Sequence, residues 1–134
     1  MIGGRILTAS AVAAWAQGSV YMSALVTFAK RHVIPIHVPA LALATGLNGV
    51  SPVRAEKVHR RLDWPIFTFS ELDRDSAIDV ARTATRWQDE GISPADAHVI
   101  NVALSRYDGW PIVTTAGESF WARFLPKTPI ERLP

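Results

Sequence analysis

Apolar and polar positions along the chain alternate between two periods. Short apolar runs, some rich in β-branched residues, stand at "RILTA" (5–9), "VIPIHVP" (33–39), "PIFTFSEL" (65–72), "WPIVTT" (110–115) and "TPIERL" (128–133), and each predicts a strand. Between them lie segments of helical composition: 10–17, 20–32, 40–47, 51–63, 73–91, a helix opening at Ser93, and "GESFWARFL". Ser10, Ser51 and Ser93 are candidate N-caps, with Pro52 and Pro94 at the first helical position, where a missing N–H costs nothing. Strands alternating with helices imply an α/β domain over 1–134, with a mostly parallel five-stranded sheet and helices on both faces. In such sheets ligands bind beyond the carboxyl ends of the strands, which directs attention to the residues after "RILTA", "IHVP" and "PIVTT".

The helix "SPADAHVINVAL" (93–104) is the most informative. On a helical wheel Asp96 falls in the middle of the arc formed by Val99, Ile100, Ala103, Leu104 and Tyr107, with His98, Asn101 and Ser105 opposite. Three residues past its cap, Asp96 can also reach back to the Ser93 N–H. The pattern therefore leaves two roles open, a cap and a carboxylate aimed into a site.

Composition narrows the chemistry. Nearly half the residues are apolar (49%) and 19% are charged, which suits a packed domain rather than a disordered chain. The absence of cysteine excludes disulfides and thiolate chemistry, and fits a cytoplasmic location. Residues 6–29 carry no charge, but Thr, Ser, Gln and Gly interrupt them too often for a membrane span or a signal peptide, so a buried strand followed by helices is expected, with no membrane partner. The net charge of +2 hides a division: residues 1–61 hold seven Lys/Arg against Glu56 alone, and residues 62–134 hold seven against eleven acids. Within the basic part, Arg54, Lys57, Arg60 and Arg61 are candidate phosphate contacts with Trp64 beside them for stacking; the alternative is a solvated helix with Val58 and Leu62 facing the core. Trp15, Trp87, Trp110 and Trp121 read as core or dimer-interface residues. The four histidines have no metal-ligand spacing, and no phosphate-binding glycine loop is present.

The order of elements, and above all "ISPADAHVINVALSRYDGWPIVTTAGESF…LPKTPIERLP", resembles PIN-domain proteins of the VapC type, ribonuclease toxins of toxin–antitoxin pairs. The resemblance implies a metal-assisted phosphodiesterase, in which carboxylates from separate elements hold Mg²⁺ or Mn²⁺. It also implies where those acids should stand. Thr8 takes the first expected Asp position, with Ser10 matching the family's small hydroxyl residue. Thr45 lies near the expected Glu, Asp96 is retained, Thr114 matches, and Ala116 replaces the last Asp. Glu118, two residues on, is the nearest substitute for it.

The expected function is accordingly a PIN-fold binding or regulatory module for RNA or an antitoxin-like protein, without efficient nuclease activity and without a cofactor. Two alternatives stand beside it. One is a weak Mg²⁺- or Mn²⁺-dependent ribonuclease in which Asp96 and Glu118 are catalytic and Asp96 holds the metal. The other is a structural subunit acting as a homodimer.

Overall fold

A computed structural model describes residues 3–134. The elements are β1 (Arg5–Leu7), α1 (Ala9–Ala16), α2 (Val20–His32), β2 (Ile36–Pro39), α3 (Ala40–Leu47), α4 (Pro52–Arg61) and β3 (Phe67–Ser70). There follow α5 (Arg74–Arg86), a 3₁₀ turn (Gln88–Glu90), α6 (Pro94–Ser105), β4 (Ile112–Thr114), α7 (Glu118–Ala122) and β5 (Ile130–Arg132). The strands form one sheet in the order β3-β2-β1-β4-β5, and every pairing is parallel, so the sheet is wholly rather than mostly parallel. Its strand order reverses between β1 and β4, the position where α/β sheets open a crevice at their carboxyl edge.

All five strands are shorter than the apolar runs suggest, for local reasons. Thr8, not Ser10, caps α1: its hydroxyl accepts from the Ala11 N–H at 3.3 Å, and the chain turns immediately after Leu7. Val33 closes α2 in the left-handed conformation (φ 54°), a position usually held by glycine, so β2 starts only at Ile36. Ser19, Ser51, Asp73 and Ser93 cap α2, α4, α5 and α6.

Alternation along the strands gives the sheet two apolar faces. Leu7, Ile36, Val38 and Val113 pack with Val12, Met22, Val26 and Val58 from α1, α2 and α4. Ile6 and Ile112 pack with Val80, Ile100 and Trp121 from α5, α6 and α7. The helix α3 lies close upon α1, because a Cβ on Gly46 would stand 2.6 Å from Val12 Cβ and 2.7 Å from the Ala9 carbonyl. Trp15 and Trp121 are buried, and Trp87 and Trp110 are partly buried against the core. Among the described residues no single helix is long and apolar enough to cross a membrane. The α1–α2 pair passes by composition but bends by 101°, with α1 buried along one side.

Candidate functional site

Of the residues that sequence resemblance assigns to a nuclease centre, Thr8, Ser10 and Thr114 meet at the carboxyl ends of β1 and β4. Thr8 Oγ1 donates to the Val113 carbonyl at 2.8 Å while accepting from Ala11 N–H. Its single proton is thereby committed, so in the 3.0 Å contact with Ser10 Oγ the serine must donate. Ser10 then has no proton left for Thr114 Oγ1 at 3.2 Å, and Thr114 donates to Ser10. Ser10 also accepts from the Thr115 N–H at 3.1 Å. Thr114 in turn accepts from the Ala116 N–H and from the Trp121 indole Nε1–H, each at 3.1 Å. Each hydroxyl therefore uses its one donor and both acceptor positions. Thr8 and Thr114 are 1% exposed and Ser10 between them is half-buried, so the cluster is enclosed at both ends and reaches the surface only at the serine.

Among the described residues no carboxylate hydrogen-bonds to this cluster. Asp96 is half-buried in the first turn of α6, where its backbone N–H donates to the capping Ser93 Oγ at 3.1 Å. Burial pushes the Asp96 carboxyl above the usual carboxylate range, and Ser93 opposes that rise. Glu118 is exposed on the first turn of α7, and Thr45 is exposed on α3. Ala116 contributes only its backbone N–H to the cluster. Among the described residues no three of His, Asp and Glu come together as metal ligands.

The wheel of α6 needs correction. His98 is 3% exposed and Asn101 is half-buried, accepting from the Thr83 hydroxyl at 2.6 Å, whereas Leu104 on the expected apolar arc is exposed. The helix is enclosed on most sides by the sheet, α3 and α5, so a two-face reading does not describe it. Sequence reasoning also passed over His37. Sheet pairing places it beside Thr68 on the α6 side of β2, with Nδ1 2.7 Å from Thr68 Oγ1, Nε2 2.6 Å from Ser70 Oγ, and its ring 4.5 Å from Tyr107. Burial, with Arg106 and His98 nearby, pushes its pKa down to about 4. The signal was a histidine in an otherwise apolar strand.

The basic residues form a separate surface. Arg54, Lys57 and Arg61 of α4 line a cleft of about 260 Å³ with Trp15, Gln17 and Ser23, and no acid lines it. Arg54 bonds the Gln17 carbonyl and side chain, and Arg60 turns away to Glu56 at 3.4 Å. Val58 is buried and Leu62 half-buried against the core, as expected for the inner side of that helix. Trp64 is half-buried against the core with the Lys30 ammonium 4.0 Å from its ring centre, so a stacked base would have to displace that lysine.

No protein-family model matches the sequence, and no curated protein does. Solved structures do share its fold. The chain is similar to one in VapBC2 from Rickettsia felis bound to a DNA fragment from their promoter, at 17% identity over 100% of both chains (TM-score 0.62). It is also similar to one in DNA-bound VapBC from Salmonella typhimurium, at 16% identity over 98% of each chain (TM-score 0.64). A third is PAE2754 from Pyrobaculum aerophilum, at 19% identity over 97% of this chain and 92% of that one (TM-score 0.56). The α/β architecture is thus the VapC-like, PIN-type fold expected from the sequence.

Proposed function

We propose that this chain is a PIN-fold binding module that does not cleave phosphodiesters efficiently. The observation that carries the reading is the closed hydroxyl cluster of Thr8, Ser10 and Thr114. Mg²⁺ and Mn²⁺ are hard cations that need several oxygen ligands, carboxylates above all. Here the hydroxyl lone pairs are already used by backbone, indole and one another, and among the described residues no three acidic or histidine side chains come together around Asp96. The residues present do not fit such an ion. The alternative of a weak ribonuclease through Asp96 and Glu118 is disfavoured by the outward position of Glu118.

For the partner, an antitoxin-like protein is the first choice, because two structures of the same fold are VapBC complexes. The acid-free cleft of Arg54, Lys57 and Arg61 suits an acidic segment of such a partner. The same surface favours RNA as a second reading, through phosphate contacts whose strength would fall steeply with salt. Self-association has its own support in the outward side of α2, where Tyr21 and Phe28 are exposed.

The deciding experiment is a calorimetric Mn²⁺ titration of the protein beside Asp96→Asn. No Asp96-dependent heat up to millimolar Mn²⁺ is expected. Micromolar binding abolished by Asp96→Asn would overturn the reading and make the metal-dependent ribonuclease the better one. RNA retention on a filter, lost at high salt and without cleavage, would separate RNA from protein as the anion bound by α4.

A further inference from the structure

A second feature at the carboxyl edge of the sheet lies over the end of β3, away from the hydroxyl cluster. Here α5 and α6 diverge and leave an open trough of about 380 Å³. Ser70 lies in it at the end of β3, 8% exposed, its hydroxyl fixed from beneath by His37. Glu71, Asp73 and Asp79 line it on the β3–α5 side, and His98 and Arg106 on the α6 side.

The charges in the trough are largely unspent. Among the described residues Glu71 has no ion pair, and Asp79 meets only the exposed Arg82 at 3.6 Å. Asp73 caps α5 by accepting from the Ser76 N–H at 2.8 Å and makes no ion pair among the described residues. Arg106 is the single cation, and its guanidinium lies 5.9 Å from the Tyr107 ring centre rather than against an acid. Three carboxylates against one guanidinium make the trough attractive to positive charge.

Acids alone would not make a site; His98 supplies the independent observation. Its Nδ1 lies 3.4 Å from the Leu41 backbone N, and a backbone N–H can only donate. Nδ1 therefore carries the lone pair, and in the neutral ring that burial enforces, Nε2 carries the hydrogen. Among the described residues nothing accepts from Nε2, yet no fully enclosed side-chain nitrogen or oxygen lacks a partner. His98 as a residue is 3% exposed and lines the trough, and its unpartnered Nε2–H, which is not fully enclosed, opens there. A buried N–H held toward an opening is a donor awaiting an acceptor.

We infer that the α5–α6 trough binds a basic peptide segment, whose backbone carbonyl accepts from His98 Nε2 and whose arginine or lysine side chain meets Glu71, Asp73 and Asp79. A lone cation would satisfy the acids and repel the histidine N–H. A peptide supplies both complements. Its length also fits, since His98 to Arg106 along α6 spans roughly 12 Å, which is about four extended residues. The inference is independent of the nuclease question and of the basic cleft on α4, so either can fail without the other.

The test uses the ¹⁵N-labelled full chain at low salt and the tripeptide Ac-Gly-Arg-Gly-NH₂, with the His98 ring nitrogens followed by long-range ¹H–¹⁵N correlation. Saturable movement of the His98 Nε2 signal is expected, with affinity about threefold weaker in Glu71→Gln, the loss typical of one exposed ion pair. Glu71 is exposed, and an unchanged amide spectrum for the variant will confirm that it folds. Ac-Gly-Glu-Gly-NH₂ should leave the ring signal unmoved. A stationary His98 signal, an equal response to the glutamate peptide, or full affinity in Glu71→Gln would overturn the inference. Free L-arginine matching the tripeptide would overturn the peptide assignment in favour of a small amphoteric ligand.

Discussion

The two ends of the same sheet edge treat their polar groups in opposite ways. At β1 and β4, three hydroxyls consume one another and their neighbours until no donor or acceptor remains. At β3, a histidine N–H, a glutamate and an arginine reach solvent with nothing bound to them. The hydroxyl end stands where the family resemblance places chemistry. The β3 end is where unused valence remains, and unused valence rather than residue type is what a ligand can exploit.

The contrast is sharpest in acid. The pKa of His37 lies near 4 in the folded protein against 6.5 unfolded. Between those values the unfolded chain takes a proton that the native state refuses, so stability is complete above pH 6.5 and falls as the pH drops toward 4. The expected loss is about 3 kcal/mol, and His98, also pushed down by burial, acts in the same direction. Urea midpoints at pH 7 and pH 4.5 measure it, and His37→Asn should flatten the difference. An unchanged pH slope in that variant would remove the β3 end as the acid-sensitive one.

Thr114→Val attacks the other end. It strands the buried Trp121 indole N–H and takes from Ser10 its hydroxyl donor, at a cost of about 2–3 kcal/mol. Chemical denaturation at neutral pH would show it, and a loss below about 1 kcal/mol would mean that the cluster is not saturated as described. Asp96→Ala removes the acidic side chain from the first turn of α6 and should cost about 0.3–1 kcal/mol, whereas Asp96→Asn keeps the shape and should lie within about 0.5 kcal/mol of the parent. The thermal midpoints of the two variants separate a cap from a metal ligand, because a metal ligand would make the parent, and not Asp96→Asn, sensitive to added Mn²⁺. Smallest of all, Ser105→Ala removes only an exposed bond to the Asn101 carbonyl and should change stability by less than about 0.5 kcal/mol.

Much of the fold was legible because its signals are local. Caps with following prolines marked α4 and α6, and the apolar runs marked all five strands, although the first two overshot where a cap (Thr8) or a left-handed residue (Val33) took over. The departures from the acidic pattern at Thr8, Thr45 and Ala116 were equally plain, since residue identity needs no coordinates. What those departures build was not legible. The direction of the Thr114–Ser10–Thr8 bonds depends on Val113, Ala116 and Trp121, which only the pairing of β4 with β1 and the packing of α7 on Thr114 bring into place. His98 was misplaced for a similar reason: a wheel assumes one wet side, and α6 has almost none. The trough needed residues from β3, α5 and α6, which no spacing along the chain could join.

The hydroxyl cluster also constrains how this corner can drift. Its bonds run one way, from Thr114 through Ser10 to Thr8 and into a carbonyl that has no hydrogen to return. Backbone and indole N–H groups hold the open acceptor positions, so the chain cannot be reversed to accommodate a changed member. Alanine at position 10 would break two links at once, and aspartate at position 8 would replace the hydroxyl donor to Val113 with an acceptor, leaving that carbonyl only the backbone N–H of residue 8. Replacing this arrangement therefore requires exchanging several residues in concert, and a single acidic substitution in it is expected to lower stability.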